Sequence, residues 1–428
     1  MEMKAKVKQA GLLASLLLTS AFAGALELNG PDTGFLNQVK NFGLTQENWD
    51  SGEMATASFQ NAWKFTHSYT IDKPGPPSEQ WKSQEKLNLK AIQVNDADGP
   101  LNLEVLLRDR LHNNAMVVLK GENLVHEHYW NGLSPDSKTL VMSVTKSFTS
   151  MLAAIAVEEG KLDMNRKVQD YLPELKGSAF ANSTVQEVSD MRSGIKVNIA
   201  PGLSWDHAMT HAQEWNGYVE GRLNGTIEYA KTVKARQYPT GQAYQYQCIN
   251  TEVLGLVVEK TMGKKLPELF SEKVWSHLGV ESNAVWQSDP NGYVVASGGL
   301  NITTRDLAKV GQMLLNSGKN NQGEQIIPKA FIDNLMEGND EVRSAWKYSK
   351  ESHLAPDAWY KDQFRVMNIK GRKMLAMVGI HGQSVIMDKD SGTVIATAGS
   401  YSQPETPRMA LMMFQEMAPA IIKATENI

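Results

Sequence analysis

The 428-residue chain has one cysteine, Cys248. A single thiol excludes an intramolecular disulfide and a multi-cysteine zinc or iron–sulfur site. H-E-x-x-H, the Walker A loop and G-x-G-x-x-G are absent, which removes the usual warrants for a zincin, a P-loop NTPase and a dinucleotide enzyme. G-x-S-x-G is missing too, so a nucleophile elbow of the α/β-hydrolase type is not supported. Net charge is only -4, and Lys and Arg form no run long enough for a nucleic-acid tail. That argues against an electrostatically driven DNA or RNA binder. Beyond the N-terminus no segment is long and apolar enough to span a membrane.

Hydrophobic residues make up 42% and charged residues 21%, an ordinary globular composition. Lys4, Lys6 and Lys8 precede the apolar run Gly11 to Ala23, which ends Ala21-Phe22-Ala23. Residues 1–23 therefore read as a secretory signal peptide, and the expected location is periplasmic or secreted. Losing three Lys and one Glu with that leader takes the net charge from -4 to -6. Residues 24–98 contain Pro74-Gly75-Pro76-Pro77 and show weak periodicity, so they read as an N-terminal extension wrapping a core.

Residues 99–428 read as the main domain. Leu101 to His112 has helical spacing. Ala115–Lys120 and Leu124–Trp130 flank a Gly121-Glu122-Asn123 turn and read as a hairpin. Residues 144–159 form a strongly apolar helical pattern ended by Gly160. Residues 304–316 read as an amphipathic helix capped by Thr303 or Thr304. Met374–Ile380, Ser384–Asp388 and Thr393–Ala398 read as strands, and Thr406-Pro407 opens a last helix. The predicted fold is α+β. An antiparallel sheet from about 99–150 and 290–428 is packed by the first and last helices, with a mainly helical part over about 151–289 inserted.

The chemistry starts from S-x-x-K, which occurs at Ser83/Lys86, Ser143/Lys146, Ser193/Lys196 and Ser344/Lys347. Only Ser143 immediately precedes a long apolar helix. Its backbone N–H there sits where negative charge is favoured. Lys146 is three residues on and shares that helix face, among Val141, Met142, Phe148 and Met151. Desolvation favours a neutral amine, which can take the serine proton. The structural alternative is a capping serine with a snorkelling lysine.

Two further features stand out. Tyr244-Gln245-Tyr246-Gln247-Cys248-Ile249-Asn250 precedes an apolar helix, and a phenol near a lysine can relay a proton. Val378-Gly379-Ile380-His381-Gly382 is a strand flanked by glycines that allow close backbone approach. Taken alone, the first reads as a core-helix entry and the second as a bulge.

In this order the three features resemble the serine β-lactamase and penicillin-binding-protein superfamily, on its class C-like branch. The likeness is greatest to its esterases and to the 6-aminohexanoate-dimer hydrolases. The stretches that carry it are SVTKSFTSMLAAIAVEEGKL, VQDYLPEL, DMRSGI, YQYQCINTEVLGLVVEK, GGLNITTRDLAKVGQMLL and GIHGQSVIMD, from about 110 to 400. The resemblance implies the β-lactamase/transpeptidase-like fold and hydrolysis of an ester or linear amide through an acyl-enzyme. It implies Ser143 as nucleophile, Lys146 as general base and Tyr246 as the proton relay to the leaving group. The N–H groups of Ser143 and Ile380 would form the oxyanion hole. Neither a metal nor an organic cofactor is implied.

Three departures bear on substrate. The Lys-Thr-Gly triad is replaced by Gly379-Ile380-His381-Gly382, which removes weight from β-lactams and D-Ala peptides. The family's Tyr-x-Asn is stretched so that Asn250 follows Tyr246 by four residues. Cys248 stands where relatives often carry serine, near the pocket as a weak polar group. Trp205 and Trp215, in the loop from Ile199 to Tyr218, are candidate pocket aromatics, and His381 a candidate substrate contact.

Rival readings are a D-amino-acid peptidase or β-lactamase on the same fold, and a non-catalytic cell-wall-binding relative. A metallohydrolase built on His126/His128 or His207/His211 is a third. The expected partner is a small ester or amide, with no nucleic acid and no stable membrane insertion. The expected assembly is a monomer or homodimer.

Overall fold

A computed structural model describes residues 26–75, 81, 85–199, 205–369, 371–404 and 406–428. The leader at 1–23, Ser83 and positions 200–204 of the tryptophan-bearing loop lie outside the described residues.

Alternating apolar residues build the main sheet. In the strand Asn113–Lys120, Met116 and Val118 enter one core while Val117 and Leu119 enter another. In Arg372–Gly379, Met374 and Ala376 face the first core, and Leu375 and Met377 the second. A sheet covered on both faces needs such two-sided apolar strands. Its seven antiparallel strands run Trp359–Lys361, Phe364–Ile369, Arg372–Gly379, Gln383–Asp388, Thr393–Gly399, Asn113–Lys120 and Asn123–Tyr129. The C-terminal helical segment Pro407–Thr425 covers one face through Met409, Phe414, Ile421 and Ile422. The helix Thr304–Leu315, capped by Thr303, covers the other.

The helix Thr145–Glu158 is buried almost all round, from Thr145 to Ala156. A helix this apolar has to be central. Beside it lies the helix Cys248–Met262, buried from Ile249 to Val258. Gly255 lets this helix seat against its other neighbours: a Cβ there would lie 2.9 Å from Leu266 Cδ1 and 3.1 Å from Ala296 Cβ. The expected α+β arrangement is therefore what forms.

Some local expectations are corrected. The helix read from Leu101 starts instead at Leu103, capped by the Asn102 side chain, because Gly99–Asn102 pairs with Gln93–Asp96 as a hairpin. The region read as helices up to 289 contains the strand Ala284–Ser288. That strand belongs to a second sheet ordered Leu28–Asn29, His67–Ile71, Ala284–Ser288, Leu300–Thr303 and Lys138–Leu140. The N-terminal segment thus supplies two strands. Its Leu44, Trp49, Phe59 and Phe65 then pack with Met142, Trp215 and Ile380.

His126 and His128 form a hydrogen-bonded chain with Asn113. The Asn113 amide donates to the carbonyls of Ala115 and Ala398, which leaves its oxygen to accept from His128 Nε2 at 2.7 Å. His128 Nδ1 is then the acceptor for His126 Nε2 at 3.0 Å. Among the described residues no group of three His, Cys, Asp or Glu is placed to hold a metal ion.

Burial, with His126 second, pushes His128 down from its ordinary 6.5 to about 3. The unfolded chain accepts a proton below about 6.5 that the folded chain refuses until about 3, so stability is lost as pH falls through that window. Between pH 7 and pH 4 this group removes about 3 kcal/mol. Urea denaturation at both pH values should show that loss reduced by about this amount in His128→Gln. Equal losses in wild type and variant would contradict it.

Candidate active site

The turn that carries Ser143 is set by backbone hydrogen bonds from one strand end. Val141 N–H donates to the Leu300 carbonyl, and Leu300 N–H donates to Thr145 Oγ1. Between them Met142 adopts φ 47, a left-handed conformation rare for a side chain of this size. Ser143 then lies in the single 3₁₀ turn Met142–Val144 that runs into the helix Thr145–Glu158. Strained turns of this kind concentrate at functional sites. Ser143 is half-buried, so it remains reachable.

Lys146 is 1% exposed. Its Nζ lies 3.0 Å from Ser143 Oγ, 2.7 Å from the Ser297 carbonyl and 3.4 Å from Cys248 Sγ. A neutral amine has two N–H donors and one lone pair. In that form, with the carbonyl and the sulfur taking the donors, the lone pair would face Ser143 Oγ. The arrangement can accept the hydroxyl proton while the oxygen attacks.

Tyr246 supplies the third side of the cluster. Lys146 Nζ is 4.9 Å from its ring centroid, and Arg365 Cζ is 5.7 Å from it. Tyr360 meets it edge-on, with centroids 6.1 Å apart. The Tyr360 hydroxyl donates to Gln363 Oε1, and burial pushes this phenol well above its ordinary range.

The Gly379–Gly382 segment closes against the serine turn. A Cβ on Gly379 would lie 2.5 Å from the Val141 carbonyl and 3.1 Å from Met142 Cβ, so only glycine allows this approach. Ile380 packs on the cluster that contains Met142, and His381 is left-handed at φ 63.

The structure thus brings Ser143, Lys146, Cys248 and Tyr246 together and places Ile380 beside the serine turn. Two aromatic expectations are corrected. Trp215 is a core residue: its ring lies 4.8 Å from Trp49, and its indole N–H donates to buried Asp50. His381 is fully buried, hydrogen-bonded to the Tyr401 carbonyl and packed edge-on to Phe59, so its ring does not face substrate. Trp205 sits half-buried with its ring parallel to His207. Asn250 does not reach Lys146; its Oδ1 accepts from Ser193 Oγ at 2.6 Å. The position two residues after the tyrosine, Cys248, is the one that touches the amine. This also accounts for the Ser193/Lys196 repeat, whose serine is structural. Ser344 is exposed on the helix Asp340–Trp346.

Sequence reasoning missed Ser297, Glu252, Tyr360 and Arg365. Glu252 accepts from the N–H groups of Ala296 and Ser297, both at 3.0 Å. Burial raises its carboxyl, with hydrogen bonds and the Lys146 charge opposing.

The Beta-lactamase family model matches residues 106–412. The chain belongs to this family. The 6-aminohexanoate-dimer hydrolase of Paenarthrobacter ureafaciens is 30% identical over 370 residues, 83% of this chain and 90% of the relative. A putative 6-aminohexanoate-dimer hydrolase from Bacillus anthracis superposes with TM-score 0.78 at 25% identity, covering 94% of this chain and all of that one. A family VIII carboxylesterase superposes with TM-score 0.53 at 16% identity, covering 76% of this chain and 95% of that one, which supports the fold. The protein is a hydrolase of the serine β-lactamase family, with a 6-aminohexanoate-dimer hydrolase among its relatives.

Asn250→Ala should destabilise the fold by about 1–3 kcal/mol, because Ser193 Oγ loses its buried acceptor. Ester hydrolysis by the folded fraction should stay within about threefold of wild type. A selective loss of turnover with unchanged stability would return Asn250 to the reacting cluster.

Proposed function

We propose that the protein is an exported serine hydrolase that cleaves small carboxylic esters or linear amides through an acyl-enzyme on Ser143. The observation that carries this reading is the Lys146 amine, buried and 3.0 Å from Ser143 Oγ with its other contacts already taken. Lys146 takes the hydroxyl proton as Oγ attacks the carbonyl. The N–H groups of Ser143 and Ile380 stabilise the developing oxyanion. Tyr246, working with Lys146, passes the proton to the departing alcohol or amine. Water then attacks the acyl group and gives a proton to Lys146, which returns it to Ser143 Oγ as the acid departs.

Ile380 and the inward-turned His381 leave the Gly379–Gly382 strand without the cation of the Lys-Thr-Gly triad. That favours esters and linear amides over β-lactams, whose carboxylate that cation helps recognise. The 6-aminohexanoate-dimer hydrolase relative supports the amide branch. The lysine-led leader before Ala23 is proposed to direct export to the periplasm or medium. Trp205 remains a proposed contact at the rim, and a monomer or homodimer the proposed assembly.

Purified protein should hydrolyse p-nitrophenyl acetate and butyrate with a burst, and mass spectrometry should place the acyl group on Ser143. Ser143→Ala and Lys146→Ala should lose about 1,000-fold or more, and Tyr246→Phe about 100-fold. Undiminished turnover in Ser143→Ala would overturn the assignment.

A further inference from the structure

Glu252 lies on the helix Cys248–Met262, one turn beyond Cys248, and is 1% exposed. No step of the proposed reaction uses it. A carboxyl group this deep needs a reason, since burial without partners is costly. Its partners are specific: Oε2 accepts from Ala296 N–H and Oε1 from Ser297 N–H, each at 3.0 Å. The same two residues face the serine helix with their carbonyls. Ala296 O accepts from Thr149 Oγ1 at 2.9 Å, and Ser297 O accepts from Lys146 Nζ at 2.7 Å. Residues 296 and 297 are therefore gripped from both sides, their N–H groups by the carboxylate and their carbonyls by the serine helix. The Ser297 carbonyl lies on the next peptide, whose Gly298 N–H donates to the Val295 carbonyl at 3.2 Å, so the anchored Ser297 backbone and this turn together fix where that carbonyl points.

We infer that Glu252 is a positioning residue, which aims the Lys146 lone pair at Ser143 through the Ser297 carbonyl. The inference rests on the Ser143–Lys146 reading given above. The amine has three directions to fill, and the Ser297 carbonyl is its shortest contact. If that carbonyl rotates, an N–H swings toward Ser143 Oγ and the lone pair turns away. A glutamine at 252 offers one oxygen for two N–H groups and sets its own NH₂ against the second, donor against donor. An aspartate keeps the charge but is one methylene short of both N–H groups.

The test compares wild type, Ser143→Ala, Glu252→Gln and Glu252→Asp on p-nitrophenyl butyrate, with thermal melting and the rate of labelling by a fluorophosphonate. Positioning predicts that kcat falls about 100-fold in Glu252→Gln, as expected for a reacting group displaced by about 1 Å. KM should stay within about twofold, because no substrate contact is lost. Labelling should slow in parallel with kcat. Glu252→Asp should show the same split with a smaller fall, about tenfold. Wild-type kcat in folded Glu252→Gln overturns the inference. Should that variant not fold, Glu252→Asp decides, and wild-type kcat there overturns it. Activity retained in Ser143→Ala identifies failure of the underlying reading instead.

Discussion

A primary amine with almost no access to water must be given partners by the fold, and the site is arranged around this need of Lys146. Its Nζ meets a hydroxyl, a backbone carbonyl and a sulfur. Each comes from a different part of the chain: the serine turn, the 296–299 loop and the first residue of the helix Cys248–Met262. The two helices must lie close for these groups to converge on one nitrogen. Gly255 lets the 296–299 loop approach the second helix, where a Cβ would lie 3.1 Å from Ala296 Cβ, and the small residues Ser147, Thr149, Ala153 and Ala156 leave the serine helix slim enough to be surrounded. The apolar packing of the core is thus also the geometry of the amine.

The other half of the site depends on how closely two backbones approach. The Gly379 strand end comes against the Val141–Met142 peptide, leaving no room for a Cβ. Left-handed residues bracket the two proposed oxyanion donors: Met142 precedes Ser143, and His381 follows Ile380. Both conformations are disfavoured and persist only where packing dictates them. That packing comes from the N-terminal segment. Trp49, Phe59 and Phe65 share one cluster with Met142 and Ile380, and Thr56 Oγ1 donates to Ser400 Oγ at 2.7 Å.

The parts legible in the sequence were those with a local signature. Ser143 and Lys146 stand one helical turn apart before an apolar run, and the strands near Met374 and Thr393 are short apolar runs bounded by turn residues. Ser297 was illegible because its contribution is a backbone carbonyl, which any residue could supply. Glu252 left a trace, an acidic residue inside an otherwise apolar helix, but its partners lie 44 and 45 residues away. The Trp359–Lys361 and Phe364–Ile369 hairpin was missed because its turn has no glycine. Asp362 and Gln363 both take positive φ, at 46 and 62. Buried hydrogen bonds to Asp190, Ser189 and Ser147 hold them there. Local propensity could not have announced a turn that tertiary contacts impose. Trp215 and His381 were misplaced for a related reason. Their side chains are covered by the N-terminal segment, whose docking position has no local code.

That segment also orders events during folding. The contact between Thr56 and Ser400 spans 344 positions, and the Trp49 indole reaches the Trp215 carbonyl across 166. Contacts of such separation form late, after the intervening chain has collapsed. Residues near 50 must therefore wait for those near 400 before they can seat. The backbone around Met142 and Ile380 acquires its final shape only then. A chain in which this segment has not docked can hold much of its secondary structure and still lack a finished serine turn, so competence arrives in one step with that docking.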